Sequence, residues 1–148
     1  MSDPNSLSLI VLERTPRIDR ARHAAEFVRR AGSFRWVGLY DVTATEIRAF
    51  AWTGDTAPEF PVFPVTQGLN GAAVASRVPV VVQDVSSDPR YLTTFGTTAA
   101  EAVYPVFDAA EATVVGTLDV ESDRPGAFTD HHDRLLRGYA VLLRPLWS

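Results

Sequence analysis

From Ile18 through Ala21 and Ala25 to Val28, apolar residues recur at spacings of three and four. That is the period of a helix with one buried face. Thr15 is placed to cap this helix, Pro16 to sit in its first turn and Gly32 to end it. Beyond Gly32 the period changes to two. In residues 35–42, Val37 and Leu39 point one way, and Trp36, Gly38 and Tyr40 the other. Residues 46–53 predict a second strand, with 43–45 as a short hairpin turn. Phe50 and Trp52 on that strand read mainly as packing residues. Residues 61–65 suit an edge strand, where proline is tolerated. The pattern then predicts a short helix over 68–77, a buried strand over 80–82 and a loop with a helical turn over 86–96. A second hairpin follows over 101–107 and 113–121. The last helix starts near Thr129 or Asp130, carries Leu135, Leu136, Tyr139, Leu142 and Leu143 on its apolar face, and is limited by Pro145.

Strands bracketed by helices, without regular β-α-β alternation, define an α+β fold with a central antiparallel sheet of about five or six strands. The N- and C-terminal helices pack on one face, over Val37, Leu39, Ala102, Tyr104, Leu118 and Val120. The opposite face is the place for a ligand pocket. A chain of 148 residues without repeats makes a single domain: residues 1–15 are an N-terminal arm or short helix, frayed over 1–5, and 16–148 are the core.

Composition removes several kinds of chemistry. There is no cysteine, so no disulfide, thiolate metal site or thiol nucleophile. All 14 basic residues are arginine, which excludes a Schiff-base lysine. The net charge is −4 and no basic stripe interleaves with aromatics, against nucleic acid as a partner. No apolar run approaches the ~20 residues that span a bilayer. The first residues lack the basic region of a secretory signal, which points to the cytoplasm. No cofactor motif is visible, and the Gly-Leu-Asn-Gly turn at 68–71 lacks the lysine of a P-loop.

Glu101, Asp119 and Glu121 form the sharpest candidate cluster. Period two puts Asp119 and Glu121 on one face, and an even register sum in the second hairpin brings Glu101 across from one of them. A three-residue loop pairing Asp108 with Ala112 gives that parity. Three carboxylates so close repel and favour a cationic guest, whereas acids at strand ends commonly just sit in water. Trp36 and Tyr40 share one strand face, as rings for a cationic or methyl-bearing ligand or as plain core residues. His131-His132-Asp133 lacks the spacing of three or four that helical metal ligands need, so no metal is expected. Leu142, Leu146 and Trp147 are candidates for an exposed apolar patch that pairs two copies.

These blocks, in this order, resemble the GAF domain, and within it the free methionine-R-sulfoxide reductases. The resemblance runs from about Ala24 to Leu143. Trp-Val-Gly-Leu-Tyr at 36–40 is similar to their Trp-x-Gly-Phe-Tyr strand, and Val-Val-Gln-Asp-Val at 81–85 to their Val-Val-x-Asp-Val. Gly-Thr-Leu-Asp-Val-Glu-Ser at 116–122 is similar to their Gly-Val-Leu-Asp-Ile-Asp-Ser, and Glu101 with Pro105 matches their Ser-Glu-Ile-Val-Val-Pro. Asn70 stands where those enzymes have the cysteine of Gly-Val-Cys-Gly, and Thr94 where they carry the catalytic cysteine.

The resemblance implies that Trp36, Tyr40, Glu101, Asp119 and Glu121 form a ligand set, the acids holding an amino group while the rings enclose a side chain, with Asn70 and Thr94 lining the pocket. Sulfoxide reduction proceeds through attack by a cysteine sulfur, a step closed to Asn and Thr. The expected function is therefore a non-catalytic, sensor-type small-molecule-binding protein for a free amino acid or amine, without cofactor or metal. The alternative is a structural domain that forms homodimers around a vestigial pocket. An enzyme using the carboxylates as acid and base ranks behind both.

Overall fold

The computed structural model describes residues 3–54 and 56–148. The apolar N-terminal stretch is a helix, α1 (Pro4–Val11), whose start is capped by the Asp3 carboxylate accepting from the Asn5 amide. Residues 4 and 5 are thus helical rather than frayed. Its Leu7, Ile10 and Val11 are buried, which decides between helix and arm. Helix α2 (Arg17–Gly32) begins one residue later than expected. Pro16 itself occupies the cap position, and its carbonyl accepts from the amides of Asp19 and Arg20, so Thr15 caps nothing. Ile18, expected on the buried face, is 38% exposed; Ala24 joins Ala21, Ala25 and Val28 there instead.

The strands are β1 (Trp36–Val42), β2 (Glu46–Thr53), β3 (Val62–Pro64), β4 (Val80–Val82), β5 (Ala100–Phe107) and β6 (Val114–Ser122). They form one antiparallel sheet in the order β3-β2-β1-β6-β5-β4. Helix α3 (Gly68–Ser76) lies between β3 and β4 in sequence, and α4 (Asp130–Leu142) follows β6, with a 3-10 turn at Arg144–Trp147 after it. Helices α1, α2 and α4 share the main core with one sheet face, where Val37, Leu39, Ala102, Tyr104, Leu118 and Val120 are all buried. Thr129 caps α4 in a reciprocal arrangement with His132, so the adjacent histidines start a helix. Among the described residues no helix is long and apolar enough to cross a membrane.

Two bulges set which side chains share a face. The β5–β6 loop is longer than expected: the Asp108 amide donates to the Thr113 carbonyl, and the Asp108 carboxylate accepts from the amides of Ala112 and Thr113. That closure alone gives an odd register. The ladder then shifts between Val106, opposite Gly116, and Phe107, opposite Val114, which leaves Val115 as the extra residue and restores the even sum. A second shift at Leu39/Tyr40 leaves Phe50 extra on β2. Phe50 therefore packs with the helix-side core and Trp52 with the opposite face, although period two aligns them.

The C-terminal patch is a correction. Leu146 is fully buried, and Trp147 meets Phe50 edge-on at 5.5 Å. Gly116 makes room for it, since a Cβ there would lie 2.3 Å from the Trp147 ring. The large exposed apolar side chains near the termini are instead Leu9, at 71%, Leu12, at 66%, and Val141, at 53%.

Candidate functional site

The face away from α1, α2 and α4 carries the candidate chemistry. The restored register sets Glu101 on β5 opposite Glu121 on β6, and Asp119 two residues back shares their face. On the other side of β6, strand β1 pairs Trp36 with Glu121 and Gly38 with Asp119. Gly38 is required there: a Cβ would fall 2.2 Å from the Trp36 ring, which folds back over it. Tyr40 follows on the same face. Helix α3 and the loop after β4 cover this face and bring Asn70 and Thr94 onto the acids.

One oxygen from each of Glu101, Asp119 and Glu121 lies within 4.8 Å of the others. Their residues are 3%, 1% and 0% exposed, so the solvated-acid alternative does not hold. Glu121 is held by two hydroxyls, with Thr94 donating to Oε2 and Thr98 to Oε1, each at 2.6 Å. Asn70 Nδ2 donates to Asp119 Oδ2 at 3.0 Å, and the Asn70 amide is itself oriented by the Thr117 hydroxyl donating to its Oδ1 at 2.5 Å. Asp119 Oδ1 is buried without a hydrogen-bond partner among the described residues.

Among the described residues no arginine acts on these acids; the groups that do are one another, Asn70, Thr94 and Thr98. Burial, then the charges of Asp119 and Glu121, pushes the Glu101 carboxyl well above the usual carboxylate range. Burial raises Asp119 as well, against the hydrogen bonds that hold it down. Glu121 is pushed up to about 8 by burial and the Asp119 charge, with the two threonines opposing. Burial and the same acids raise the Tyr40 phenol well above its ordinary value. Burial of three acids without a cation therefore favours their protonated forms.

The inner cavity at the acids measures about 10 Å³ and is lined by Tyr40, Leu69, Asn70, Thr94, Glu101 and Asp119, among others. Trp36 does not line it. Its indole nitrogen donates to the Thr56 carbonyl at 3.0 Å, and its ring meets Phe95 at 5.9 Å. An outer groove of about 1040 Å³, lined partly by Val65, Val74, Arg77 and Arg90, shares Gly68 and Leu92 with the inner cavity. These two residues form the wall between the two spaces; a Cβ at Gly68 would rest 3.4 Å from Leu92.

Of the seven residues named from sequence, six converge on the cage and Trp36 stands at its side. Thr98 and Thr117 were missed. Thr117 lies two before Asp119 on the same strand face, so period two carried its signal. Thr98 sits in irregular chain and had none. The acidic residue beside the histidines is structural: Asp133 accepts from the Tyr104 hydroxyl at 2.8 Å and pairs with Arg137.

The GAF domain family model matches residues 16–144, and the chain belongs to that family. Its fold is similar to the type II free methionine-R-sulfoxide reductase from Thermoplasma acidophilum, at 26% identity and a TM-score of 0.81, covering 95% of this chain and 94% of that one. It is also similar to the free methionine-R-sulfoxide reductase from Neisseria meningitidis in complex with its substrate, at 24% identity and TM-score 0.86 over 97% and 85% of the two chains. The GAF domain from Acinetobacter phosphoenolpyruvate-protein phosphotransferase has TM-score 0.83 over 97% and 89%, at 15% identity. The last two show the fold alone, and proteins of different named activity share it. Comparison with curated proteins finds no match.

Proposed function

We propose that this GAF domain is a non-catalytic receptor for a small ligand bearing a protonated amino group, a free amino acid or a simple amine. The observation that carries this reading is the buried cage of Glu101, Asp119 and Glu121, on which no cationic side chain acts among the described residues. An ammonium donates to several carboxylates at once and supplies the charge that burial demands. The remainder of such a ligand runs past Leu92 toward the outer groove, so binding requires the Leu92 wall to move.

The positions that resemble cysteine sites in the reductases support the absence of catalysis. Asn70 and Thr94 donate hydrogen bonds to Asp119 and Glu121 and so fix the cage rather than attack a ligand. Neither residue can form the sulfenic acid on which thiol-based sulfoxide reduction depends.

The experiment is a thermal-shift panel of free amino acids, methionine sulfoxides, amines and cyclic nucleotides. A ligand at about 100 times its dissociation constant adds ~2.7 kcal/mol to stability. The reading expects a dose-dependent shift with amino-group ligands that Glu101→Gln abolishes. A shift unchanged in that variant sinks it.

A second reading, a homodimerisation domain, is favoured by the exposure of Leu9 on α1 and of Leu12 at its C-terminal cap. It expects a dimer in sedimentation analysis that Leu9→Glu dissociates; a monomer at all concentrations rules it out.

A further inference from the structure

The inner cavity is far smaller than an amino acid, and its dimensions fit a single ion. We propose that the cage is also a chelation site for one dehydrated divalent cation of calcium's size, held by Glu101, Asp119 and Glu121, and that this ion and an amino-group ligand exclude one another. The cation site stands on its own geometry; the exclusion rests on the amine reading of the same cage.

The spacing is that of a chelate. Calcium–oxygen bonds are about 2.3–2.6 Å, so oxygens on opposite sides of one ion are separated by about twice that. The three acid oxygens lie within 4.8 Å of one another. Every donor is an oxygen, which selects hard cations over zinc or copper.

Ligand capacity is open at three groups. The Glu101 carboxyl hydrogen-bonds with its fellow acids Asp119 and Glu121, contacts that a cation would replace, and Asp119 Oδ1 is buried with no other partner among the described residues. The Tyr40 hydroxyl is a further group, not itself one of the acids. Tyr40 is 2% exposed, lines the same cavity and makes no hydrogen bond among the described residues. The other oxygens are already oriented: Thr94 and Thr98 fix Glu121, and Asn70, itself fixed by Thr117, fixes Asp119. Such outer partners hold metal ligands in place.

Volume sets the selectivity. A cavity of about 10 Å³ holds roughly one water-sized sphere. It has no room for the several waters that magnesium keeps, whereas calcium accepts mono- or bidentate carboxylates in flexible geometry. Calcium and manganese, which accept irregular oxygen cages more readily, are the expected guests. Sequence spacing signals no metal here, because ligands contributed by two different strands leave no motif; the expectation of none came from helical histidines.

The test titrates chelator-treated protein with calcium, manganese and magnesium chlorides at constant ionic strength, by calorimetry and thermal melting. The expected result is one ion per chain, with calcium or manganese at least about tenfold tighter than magnesium. Binding should be lost in both Glu101→Gln and Asp119→Asn, each checked as folded by circular dichroism, and kept in the exposed control Glu111→Gln. No saturable binding, magnesium binding as tightly, or binding unchanged in the two folded variants overturns the site.

Run beside the amine panel, the failures separate. Ion binding without any amine response leaves this site standing and removes the amine reading. Amine binding without ion binding does the reverse. An amine response indifferent to saturating calcium overturns the mutual exclusion.

Discussion

Replacing Glu101 by glutamine in the protein freed of ligands and divalent ions should make it more stable at neutral pH and flatten its dependence on pH. Burial and the charges of Asp119 and Glu121 push the Glu101 carboxyl well above its ordinary value, and Glu121 is pushed up to about 8. An acid with a raised value holds its proton in the folded state at a pH where the unfolded chain, near 4.3 for glutamate, has released it. The folded state then binds more protons than the unfolded one, so stability falls as pH rises through that window. For Glu121 the window runs from the ordinary value of 4.5 to about 8.

Each retained proton contributes a slope of ~1.4 kcal/mol per pH unit. Between about pH 5.5 and about pH 7.5 that is roughly 3 kcal/mol per proton, or about 6–12 °C in Tm for a domain of this size. Glu101→Gln removes one such proton while keeping shape and a donor toward Asp119. His132 pulls the other way: burial, then His131, lowers its value, so its share of stability is lost as pH falls. That contribution is common to both proteins and cancels in their difference. Urea and thermal melts of both across this range are the assay. Parallel pH profiles, or a variant less stable than wild type at the upper pH, would refute the reasoning.

Gly38→Ala forces a Cβ against the Trp36 ring at 2.2 Å and should cost about 1–3 kcal/mol, with a shift in tryptophan fluorescence; a neutral change means the ring moves freely. Glu26, held down to about 2 chiefly by its hydrogen bond to Arg29, contributes stability that is full above its ordinary value of 4.5 and lost as pH falls toward 2. Glu26→Gln, at a side chain 29% exposed, should cost roughly 1 kcal/mol at neutral pH and nothing at the acid end, read from the same melts. Incubation with free methionine-R-sulfoxide and a thiol reductant should give no methionine above the enzyme-free rate, since neither Asn70 nor Thr94 can form a sulfenic acid; protein-dependent turnover contradicts this.

Much of the architecture was legible because it rests on periodicity. Val37 and Leu39 alternate with Trp36 and Tyr40, and that alternation assigned the helix-packed and pocket faces correctly. The need for an even register was legible too, but not its route, since the bulge at Val115 has no turn residue to announce it. The bulge at Phe50 likewise separated two aromatics that period two aligns. Leu146 read as surface because short C-terminal segments carry too few residues for a period, whereas a 3-10 turn folds it into the core. At the site, the acids were legible from strand parity and Asn70 and Thr94 from the family resemblance. The cavity's size, the Leu92 wall and the Thr98 hydrogen bond depend on how irregular chain lies over the sheet, which local sequence does not determine.

The most direct measurement is calorimetric titration of the divalent-free protein with the amino-group ligand giving the largest thermal shift, repeated with Asp119→Asn. Saturable one-to-one binding to wild type, lost in the folded variant, with the ligand recovered chemically unchanged, is the predicted result. Binding undiminished by Asp119→Asn, or no heat with any amino-group ligand, would contradict a receptor built on these three acids.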